Sequence, residues 1–509
     1  MRKYPIGLQD FGEIRKGGFL YIDKTHAIYN LIESGKYYFL SRPRRFGKSL
    51  LLSTIKEIFS GNKKLFEGLW IENQWNWEKK HPVIHLRLSK IDYQKFGLYE
   101  ALNMEMVALA KELDIELEAN NLKGRFEELI RKASVNENVV ILIDEYDKPI
   151  IDYLDDLSNA EENRAVFKSF YSILKDSDEY IRLLLITGVS RFTKVSIFSD
   201  LNNLRDITLL PQFETLTGIT QEELDTNFKP ELAELSAEDA SFPAQIKEWY
   251  NGYSWGGKTT AYNPFSILNF MADRQFNNYW IATGTPSFLI KQVRSRPDFL
   301  FTEDNLEVDV SSLSDLYIDN IKPLTLMFQT GYLTIKSYNK EDRLYTLGYP
   351  NREVKESVLA HLATAYSFTD TGHVRPTIIE LKKAFTDNNI KKVVDIIDTL
   401  LANIPNPLWI DAKESFYHGL IHTAFQLLGI EISSEVHSAK GRLDARVMTK
   451  THIYVLEFKL DATAQHALDQ IINKDYLGSY KLDPRKKVAI GINFSSAEKK
   501  ISEYLIQEF

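Results

Sequence analysis

The sequence predicts an α/β fold in which helices flank a parallel sheet, and three observations support this class. Apolar strand-like runs alternate with helix-like segments over roughly the first 210 residues, which is the pattern of a doubly wound sheet. Residues 139–143 are an uninterrupted Val-Val-Ile-Leu-Ile run, typical of a parallel strand that is buried on both faces. Residues 37–41 form a second apolar run, and this one leads into a basic loop and then a helix pattern.

In chain order, we predict strands over residues 37–41, 83–88, 139–143 and 181–187, and helices from residue 48, near 99–113 and 125–133, and over 160–175. Residues 216–300 differ in character, with shorter helix patterns and an aromatic stretch at 249–257. For these aromatic residues, buried packing is favoured over stacking on a base. Further on, residues 326–335 and 344–347 are predicted to be a pair of strands.

The basic loop ends in Gly47-Lys48-Ser49, which is typical of a phosphate site. Backbone N–H groups at a helix start attract anions, Lys48 can reach the β and γ phosphates, and the Ser49 hydroxyl can ligate Mg²⁺. Arg42 stands where the usual Gly-x-x-x-x-Gly-Lys-Ser/Thr pattern has its first glycine, so a basic loop that only caps a helix is the alternative. The predicted nucleotide-binding residues of the loop are Arg45, Phe46, Gly47, Lys48 and Ser49.

Two carboxylates follow the apolar run at 139–143. They are expected at the carboxyl edge of the sheet, where open α/β sheets bind ligands. There Asp144 can hold Mg²⁺, and Glu145 can orient or deprotonate the attacking water. A solvated turn is the alternative, but two motifs in this order, each preceded by an apolar strand, favour a nucleoside triphosphate site.

Polar residues also end the strand predicted at 181–187. Thr187 or Ser190 could hydrogen-bond the γ-phosphate or the attacking water, and Arg191 could neutralise charge in the transition state. A strand-end turn with a surface arginine is the alternative. Residues 20–25, before the first helix, could close a base pocket, although a helix cap formed by an Asp or Thr side chain of this segment is favoured.

A second acidic set lies near the carboxyl terminus. Residues 441–447 and 451–459 are predicted strands joined by a short turn. Because alternate residues of a strand share a face, Glu457 and Lys459 point the same way, and the turn brings Asp444 beside them. Two carboxylates that hold Mg²⁺ next to an ammonium group can hydrolyse a phosphodiester. The alternative is the solvated, charged face of a two-stranded ribbon.

Helices on either side of these strands carry further polar candidates. The helix predicted over 462–472 presents Gln470, and an upstream helix could bring Glu414 towards the same metal. Together with His418 and His422, Glu414 could instead form a zinc site, but a partly buried polar stripe is favoured because no further motif supports zinc.

Composition limits the remaining possibilities. A length of 509 residues suggests about three domains. The absence of cysteine excludes disulfides, thiolate catalysis and cysteine-ligated metals, and fits a reducing cytoplasm. The sequence has no apolar signal region and no apolar run long enough to span a membrane. A net charge of −8 argues against a general nucleic-acid coat but leaves room for a local basic groove.

Nearly the whole chain resembles a bacterial family, abundant in Bacteroidetes, that joins an AAA-ATPase-like domain to a C-terminal PD-(D/E)xK nuclease-like domain. The matching segments are residues 5–11, 42–49, 144–147, 187–190, 249–253, 262–264 and 441–459. Members of the family also lack the first loop glycine. Leu443 stands where the superfamily name has proline.

The resemblance implies an AAA-like P-loop ATPase core over residues 1–215, a helical lid and middle region, winged-helix-like in part, over 216–370, and a restriction-endonuclease-like αβββαβ domain over 371–509. It implies ATP and Mg²⁺ as cofactors, with Ser49, Asp144, Asp444 and Glu457 as metal ligands. Glu145 would serve ATP hydrolysis. Asp444, Glu457, Lys459 and Gln470 would serve phosphodiester cleavage.

We therefore expect a cytoplasmic protein that binds and hydrolyses ATP and couples this to a Mg²⁺-dependent nuclease-like domain. Its partner would be nucleic acid, with DNA favoured over RNA, in defence or mobile-element biology, and a homo-oligomer is left open. The alternative is a nucleotide-gated interaction protein whose nuclease-like domain is inactive.

Overall fold

The computed structural model of this chain describes residues 2–191, 197–198, 201–280, 306–314, 322–367, 371–402, 431–438 and 441–509. The chain divides into two compact units. One comprises Met1–Thr283 with Asp304–Val354, and the other comprises Gly284–Glu303 with Lys355–Phe509. The domain boundaries predicted at residues 215 and 370 stay predictions.

A five-stranded parallel sheet organises the first unit. Its strands are β1 (Tyr37–Ser41), β2 (Val83–Arg87), β3 (Val139–Asp144), β4 (Ile181–Gly188) and β5 (Arg205–Asp206). Their spatial order is β2-β3-β4-β1-β5, and every neighbouring pair is parallel. Strand β3 is buried along its whole length, as a strand with both faces covered must be. The predicted α/β class is confirmed.

Helices flank this sheet. They are α1 (Phe11–Lys16), α2 (Thr25–Glu33), α3 (Lys48–Phe59), α4 (Tyr93–Phe96), α5 (Leu98–Glu112), α6 (Leu122–Ala133), α7 (Lys148–Ile151) and α8 (Leu157–Asp176). The predicted starts of α6 and α8 fall three residues late, because the prediction followed apolar spacing alone. The side chains of Asn121 and Asp156 cap these helices by accepting from backbone N–H groups of the first turn.

The strand register brings several strand ends to one edge of the sheet. Ser41 pairs with Gly188 between β1 and β4, and Ile143 pairs with Ile186 between β3 and β4. Since all strands run the same way, the residues that follow β1, β3 and β4 emerge together at the carboxyl edge. This edge holds the loop at 42–47, the carboxylates at 144–145 and the polar residues within 187–191.

The rest of the first unit combines short helices with antiparallel strands. The helices are α9 (Gln221–Asn227), α10 (Lys229–Glu238), α11 (Phe242–Tyr250), α12 (Pro264–Asp273), α13 (Val310–Ser314) and α14 (Pro323–Thr330). The strands are β6 (Ile219–Thr220), β7 (Ala261–Tyr262), β8 (Leu306–Val308), β9 (Thr334–Asn339) and β10 (Leu344–Gly348). Strands β6 and β7 pair with each other, and β8-β10-β9 form a separate sheet.

The strand predicted over 326–335 was wrong in its first half. Helix α14 occupies Pro323–Thr330, and strand β9 begins only at Thr334. Pro323 favours the start of a helix, and Gly331 ends it in the left-handed conformation with φ +93°. The short apolar run Leu-Thr-Leu-Met-Phe suits either element, so these flanking residues decide between them.

The second unit contains a five-stranded mixed sheet. Its strands are β11 (Glu431–Ser438), β12 (Gly441–Met448), β13 (His452–Leu460), β14 (Lys486–Ser495) and β15 (Lys500–Glu508), in the spatial order β11-β12-β13-β14-β15. Only β13 and β14 are parallel. The described helices from this part of the chain are α15 (Arg352–Ser367), which contains the boundary between the units, α16 (Thr371–Thr386), α17 (Ile390–Ala402) and α18 (Ala464–Asn473).

The predicted αβββαβ order agrees with this unit from β11 to β14, and β15 adds a strand that was not predicted. The helix expected upstream, with Glu414, His418 and His422, lies outside the described residues. Helix α18 packs closely on β14 at Gly491, where a Cβ atom would lie 2.4 Å from the carbonyl oxygen of Ala464. Within the described ranges, no helix has the length and apolarity needed to cross a membrane.

Candidate functional site

The basic loop between β1 and α3 has the backbone of a phosphate-binding turn. Gly47 is the N-cap of α3 with φ +87°, and Arg45 is also left-handed with φ +66°. The Lys48 ammonium is buried and donates to the carbonyl oxygens of Arg42 and Pro43, at 2.8 and 2.9 Å. Ser49 follows in the first turn of the helix and is partly buried. The Lys48 side chain is therefore folded back onto the loop that precedes α3.

Arg42, which stands where the usual motif has a glycine, holds the loop in place through buried contacts. Its side chain is fully buried, donates to the carbonyl oxygens of Thr208 at 2.9 Å and Phe213 at 3.3 Å, and lies 4.0 Å from the ring centre of Trp255. Burial lowers the pKa of Arg42 to about 9, and nearby carboxylates oppose this shift. Where the usual motif has a flexible glycine, this chain therefore has an arginine that long-range contacts hold in place. The sequence pattern did not predict this role.

Aromatic residues of the same unit pack against the loop from outside. The Phe46 ring contacts the rings of Tyr253 and Trp255, with ring centres 4.7 and 5.3 Å apart. The Arg45 guanidinium lies 4.9 Å from the ring centre of Phe265. The aromatic stretch at 249–257 thus packs on the loop, in line with the packing role favoured for it.

The carboxylates after β3 lie beside the end of β4. Asp144 is buried, and its Oδ1 accepts a hydrogen bond of 2.7 Å from the Thr187 hydroxyl. Glu145 has left-handed backbone, with φ +54°. Burial lowers the pKa of Lys48, while the negative charges of Asp144 and Glu145 act in the opposite direction. Lys48, Asp144 and Thr187 therefore converge at one edge of the sheet.

Asp147 also belongs to this site, although the sequence pattern predicted no role for it. Its Oδ2 accepts from the backbone N–H groups of Val189 at 3.0 Å and Ser190 at 2.5 Å. Burial raises the pKa of Asp147 to about 6, against the effect of these hydrogen bonds. Tyr146 adds a hydrogen bond of 3.0 Å from its hydroxyl to the Ser190 carbonyl oxygen. These contacts connect residues 146–147 to residues 189–190, which follow β4.

Arg191 is placed differently from the other candidates. Its Nε lies 2.6 Å from Asp206 Oδ2, and its backbone N–H donates to Gln329 Oε1 at 2.8 Å. Asp206 is on β5, which flanks β1 on the side away from β3 and β4. The guanidinium is therefore engaged on the opposite side of β1 from Asp144.

A cavity of about 90 Å³ adjoins the loop at Phe46 and Gly47. Its walls are mainly apolar and include Leu20, Ile22, Leu51, Leu216, Ile219 and Leu268. Asp23, in the segment that contributes two of these residues, accepts from the Thr25 N–H at 2.8 Å near the start of α2. The segment at 20–25 thus lines a cavity, and Asp23 accepts from the first backbone N–H of α2, while the N-cap residue Lys24 makes no side-chain cap hydrogen bond. That this cavity holds a base stays a prediction.

In the second unit, the predicted acidic set comes together. Asp444 Oδ2 accepts a hydrogen bond of 2.8 Å from the Phe458 N–H. Glu457 Oε1 lies 3.3 Å from the Lys459 ammonium and accepts from the Gln470 amide on α18. Burial, with the negative charge of Asp444, raises the pKa of Glu457 to about 8.

The donor set here suits a hard divalent cation. Glu457 is 1% exposed, and its Oε2 has no hydrogen-bond partner among the described residues. A cation between Asp444 and Glu457 would bind this oxygen and relieve the repulsion between the two carboxylates, and Mg²⁺ prefers such oxygen ligands. Within the described part of the chain, no group of three or more His, Cys, Asp or Glu residues is arranged to hold a metal. Among the described residues, this site offers two carboxylates as metal ligands, Asp444 and Glu457.

Together, these features define a protein with a P-loop-type α/β domain and a separate nuclease-type mixed-sheet domain. Residues 5–198 match the family described as predicted AAA-ATPase, and residues 412–504 match the PD-(D/E)XK nuclease superfamily. The chain is also 36% identical, over 99% of both sequences, to an "Uncharacterized protein in vnfD 5'region" of Azotobacter chroococcum mcd 1. No solved structure matches it.

The chain thus belongs to the family that includes the Azotobacter protein and combines an AAA-ATPase-like domain with a PD-(D/E)XK nuclease domain. The resemblance is confirmed for these two domain types. The association with Bacteroidetes stays a prediction.

Proposed function

We propose that this protein binds and hydrolyses ATP with Mg²⁺ in its first unit and cleaves nucleic acid with Mg²⁺ in its second. The observation that carries the first half is the convergence of Lys48, Asp144 and Thr187 at the carboxyl edge of a parallel sheet. For the second half it is the cluster of Asp444 and Glu457 with Lys459.

In the ATP step, water attacks the γ-phosphorus and the β–γ bridging bond breaks, leaving ADP and phosphate. Lys48 exchanges its two carbonyl acceptors for phosphate oxygens, which compensate a buried cation far better than neutral carbonyl groups do. Ser49 and Asp144 would hold Mg²⁺, and Glu145 would deprotonate the attacking water. Thr187, already bonded to Asp144, holds the γ-phosphate or the water.

Arg45 and Phe46 shape the loop around the phosphates, and the adjoining cavity takes the base of the nucleotide. Arg191 neutralises charge on the γ-phosphate, and its guanidinium has to exchange Asp206 for a phosphate to do so.

In the nuclease step, water adds to a phosphodiester phosphorus and one P–O ester bond breaks, which leaves a phosphate monoester on one fragment and a hydroxyl group, protonated from solvent, on the other. Mg²⁺ supplies Lewis acidity at this position. Asp444 and Glu457 would hold the ion, Lys459 would position the water and stabilise the charge on the phosphate, and Gln470 would orient Glu457, to which it is hydrogen-bonded. Because burial and the charge of Asp444 raise the pKa of Glu457, metal binding competes with protonation of this carboxyl and strengthens as the pH rises.

Purified full-length protein tests this proposal, in assays of ATP turnover and of cleavage of single- and double-stranded DNA and RNA with Mg²⁺ or Mn²⁺. We expect Lys48→Ala to abolish ATP turnover and Lys459→Ala to abolish cleavage. Lys56→Ala and Lys486→Ala remove lysines outside the two proposed sites and should change neither activity.

Three results separate the proposal from its rivals. Wild-type protein that cleaves no nucleic acid under any of these conditions rejects the nuclease half. A protein in which Lys459→Ala changes nothing and Lys48→Ala alters only partner binding is a nucleotide-gated interaction protein. ATP turnover that is indifferent to added nucleic acid argues for an ATPase without such a partner.

The wider setting follows from the same proposal. We assign the protein to the bacterial cytoplasm, with DNA favoured over RNA as its partner, and a defence or mobile-element role suits this pair of activities. The proposed domains are an ATPase core over residues 1–215, a lid and middle region over 216–370, and a nuclease-like domain over 371–509. Sedimentation with and without ATP tests for a homo-oligomer.

A further inference from the structure

Arg44 is an exposed cation in the middle of the phosphate loop. The other arginines of the site are engaged elsewhere. Arg42 is buried against backbone carbonyl oxygens, Arg45 lies over an aromatic ring, and Arg191 pairs with a carboxylate on β5. In the described part of the chain, no carboxylate forms an ion pair with the Arg44 guanidinium. The loop therefore presents a positive charge at Arg44 that its own packing does not use.

Backbone contacts hold Arg44 beside the Lys48 ammonium. Lys48 donates at 2.9 Å to the Pro43 carbonyl oxygen, which belongs to the peptide bond that joins Pro43 to Arg44. The Arg44 carbonyl oxygen accepts a hydrogen bond of 3.1 Å from the indole of Trp280. Gly331 packs against the same stretch, because a Cβ atom there would lie 2.7 Å from the Pro43 side chain. The Arg44 side chain thus extends from a backbone position that is fixed next to the buried ammonium.

The charges of Arg44 and Lys48 repel each other. Burial lowers the pKa of Lys48, and the positive charge of Arg44 acts in the same direction. The charge of Arg44 also opposes the rise in pKa that burial causes at Tyr332. An anion with several oxygen atoms can bind both cations at once and remove their repulsion. Arginine suits this role, because its planar fork of N–H donors matches the oxygens of a phosphate group.

The cavity beside the loop indicates which phosphate Arg44 would meet. This cavity, proposed above for the base, adjoins the loop at Phe46 and Gly47, and Arg44 is not among the residues that line it. A nucleotide with its base in the cavity and its phosphates at the start of α3 has its terminal phosphate farthest from the base. That phosphate would lie on the side of Lys48 that carries Arg44, away from the cavity.

We propose that the Arg44 guanidinium binds the γ-phosphate of the nucleotide and so lets the site distinguish a nucleoside triphosphate from a diphosphate. This inference rests on the proposed binding of nucleotide phosphates at Lys48. The contact is a charge-assisted hydrogen bond that a diphosphate cannot make, because a diphosphate ends one phosphate earlier. Specificity then arises from a difference in affinity between the two nucleotides.

Calorimetric binding of Mg²⁺–AMPPNP and of Mg²⁺–ADP to the full chain tests this assignment, since AMPPNP carries a γ-phosphate on a bridge that resists hydrolysis. We expect Arg44→Ala to weaken AMPPNP binding about fivefold to thirtyfold and to leave ADP binding within about twofold of the wild type. Arg44→Lys keeps the charge without the fork, so it should retain part of the preference for AMPPNP. Arg131→Ala is the control. It removes an exposed arginine from the last turn of α6, which precedes β3 at the amino edge of the sheet, and should change neither affinity.

Thermal stability gives a second readout that separates ligand binding from a structural role. Without nucleotide, Arg44→Ala should melt at the wild-type temperature or slightly above, because it removes an exposed side chain that repels Lys48. An arginine needed for folding would lower the melting temperature instead. At equal ligand concentration, AMPPNP should raise the Tm of the variant less than that of the wild type, and ADP should raise both equally.

Two outcomes overturn the inference. One is wild-type affinity for AMPPNP in Arg44→Ala. The other is an equal loss of affinity for AMPPNP and ADP, which would mean that Arg44 contacts a phosphate common to both or that the substitution distorts the loop. If wild-type protein binds neither nucleotide, the proposed function itself fails, and this result is distinct from the other two.

Discussion

Replacing Glu353 by Gln should remove a pH-dependent loss of folding stability from the first unit. The Glu353 side chain is fully buried, and burial raises its pKa to about 7 from the ordinary value of 4.5. Its Oε2 accepts from the Ser266 hydroxyl at 2.8 Å, and its Oε1 accepts from the Trp280 N–H at 2.7 Å. Trp280 in turn donates from its indole Nε1 to the Arg44 carbonyl oxygen of the phosphate loop, at 3.1 Å. The charge of this carboxyl group therefore affects Trp280, which hydrogen-bonds to the phosphate loop.

The sign and size of the effect follow from the two pKa values. A carboxyl whose pKa is higher in the folded state binds its proton more tightly there, so its contribution to stability is complete below pH 4.5. It declines as the pH rises and is fully lost above pH 7. The shift from 4.5 to about 7 corresponds to about 3 kcal/mol, reached at about pH 8, and to about 2 kcal/mol at pH 6.

Glutamine can keep both contacts of Glu353, because its carbonyl oxygen can accept from the Trp280 N–H and its amide can donate to the Ser266 hydroxyl. Burial raises the pKa of Tyr250 and of Tyr253 far above this range, so these two neighbours stay neutral throughout. The measurement is urea unfolding of wild type and Glu353→Gln between pH 5 and pH 8.5. The difference in free energy of unfolding should grow in favour of the variant up to about pH 7 and then level off. Parallel pH profiles would refute the reasoning.

Three further substitutions test other parts of the structure. Arg42→Gly restores the usual loop glycine but removes a buried side chain with its hydrogen bond to Thr208 and its contact with Trp255. It should therefore lower the free energy of unfolding, measured with urea, by about 2–4 kcal/mol without improving ATP binding. Asp147→Asn loses the charge that holds the N–H groups of residues 189 and 190, so it should lower the kcat of ATP hydrolysis by about 10²-fold with little change in nucleotide Kd. Gly491→Ala places a Cβ atom 2.4 Å from the Ala464 carbonyl oxygen, so it should destabilise the second unit by at least about 1–3 kcal/mol in thermal melting and leave ATP binding intact.

Each of these has a control and a contrary result. Arg45→Gly changes an arginine three residues away in the same loop. If it is as unstable as Arg42→Gly, the buried contacts of Arg42 are not the cause of the loss of stability. Tyr146→Phe removes a single hydrogen bond from the same turn, so a loss of kcat as large as that of Asp147→Asn would deny Asp147 a distinct role. Wild-type melting of Gly491→Ala would mean that α18 can move away from β14 at little cost.

The sequence alone determined several main elements of the fold and the order of its main motifs. Strands β1, β3 and β4 and helix α3 follow from apolar runs and from Gly47, because these signals act between neighbours in the chain. The same reasoning failed at 326–330, where a short apolar run suits both a strand and a helix. It placed α6 and α8 late, because their caps lie outside the periodic residues.

Tertiary structure alone decided what the site residues touch. Arg42 bonds to the carbonyl oxygens of residues 208 and 213, and Asp147 bonds to the N–H groups of residues 189 and 190. No local pattern encodes such partners, because they depend on which strands become neighbours in the sheet. The raised pKa of Glu457 likewise arises from burial. Burial is a property of the packed chain, since it depends on atoms brought together from distant parts of the sequence.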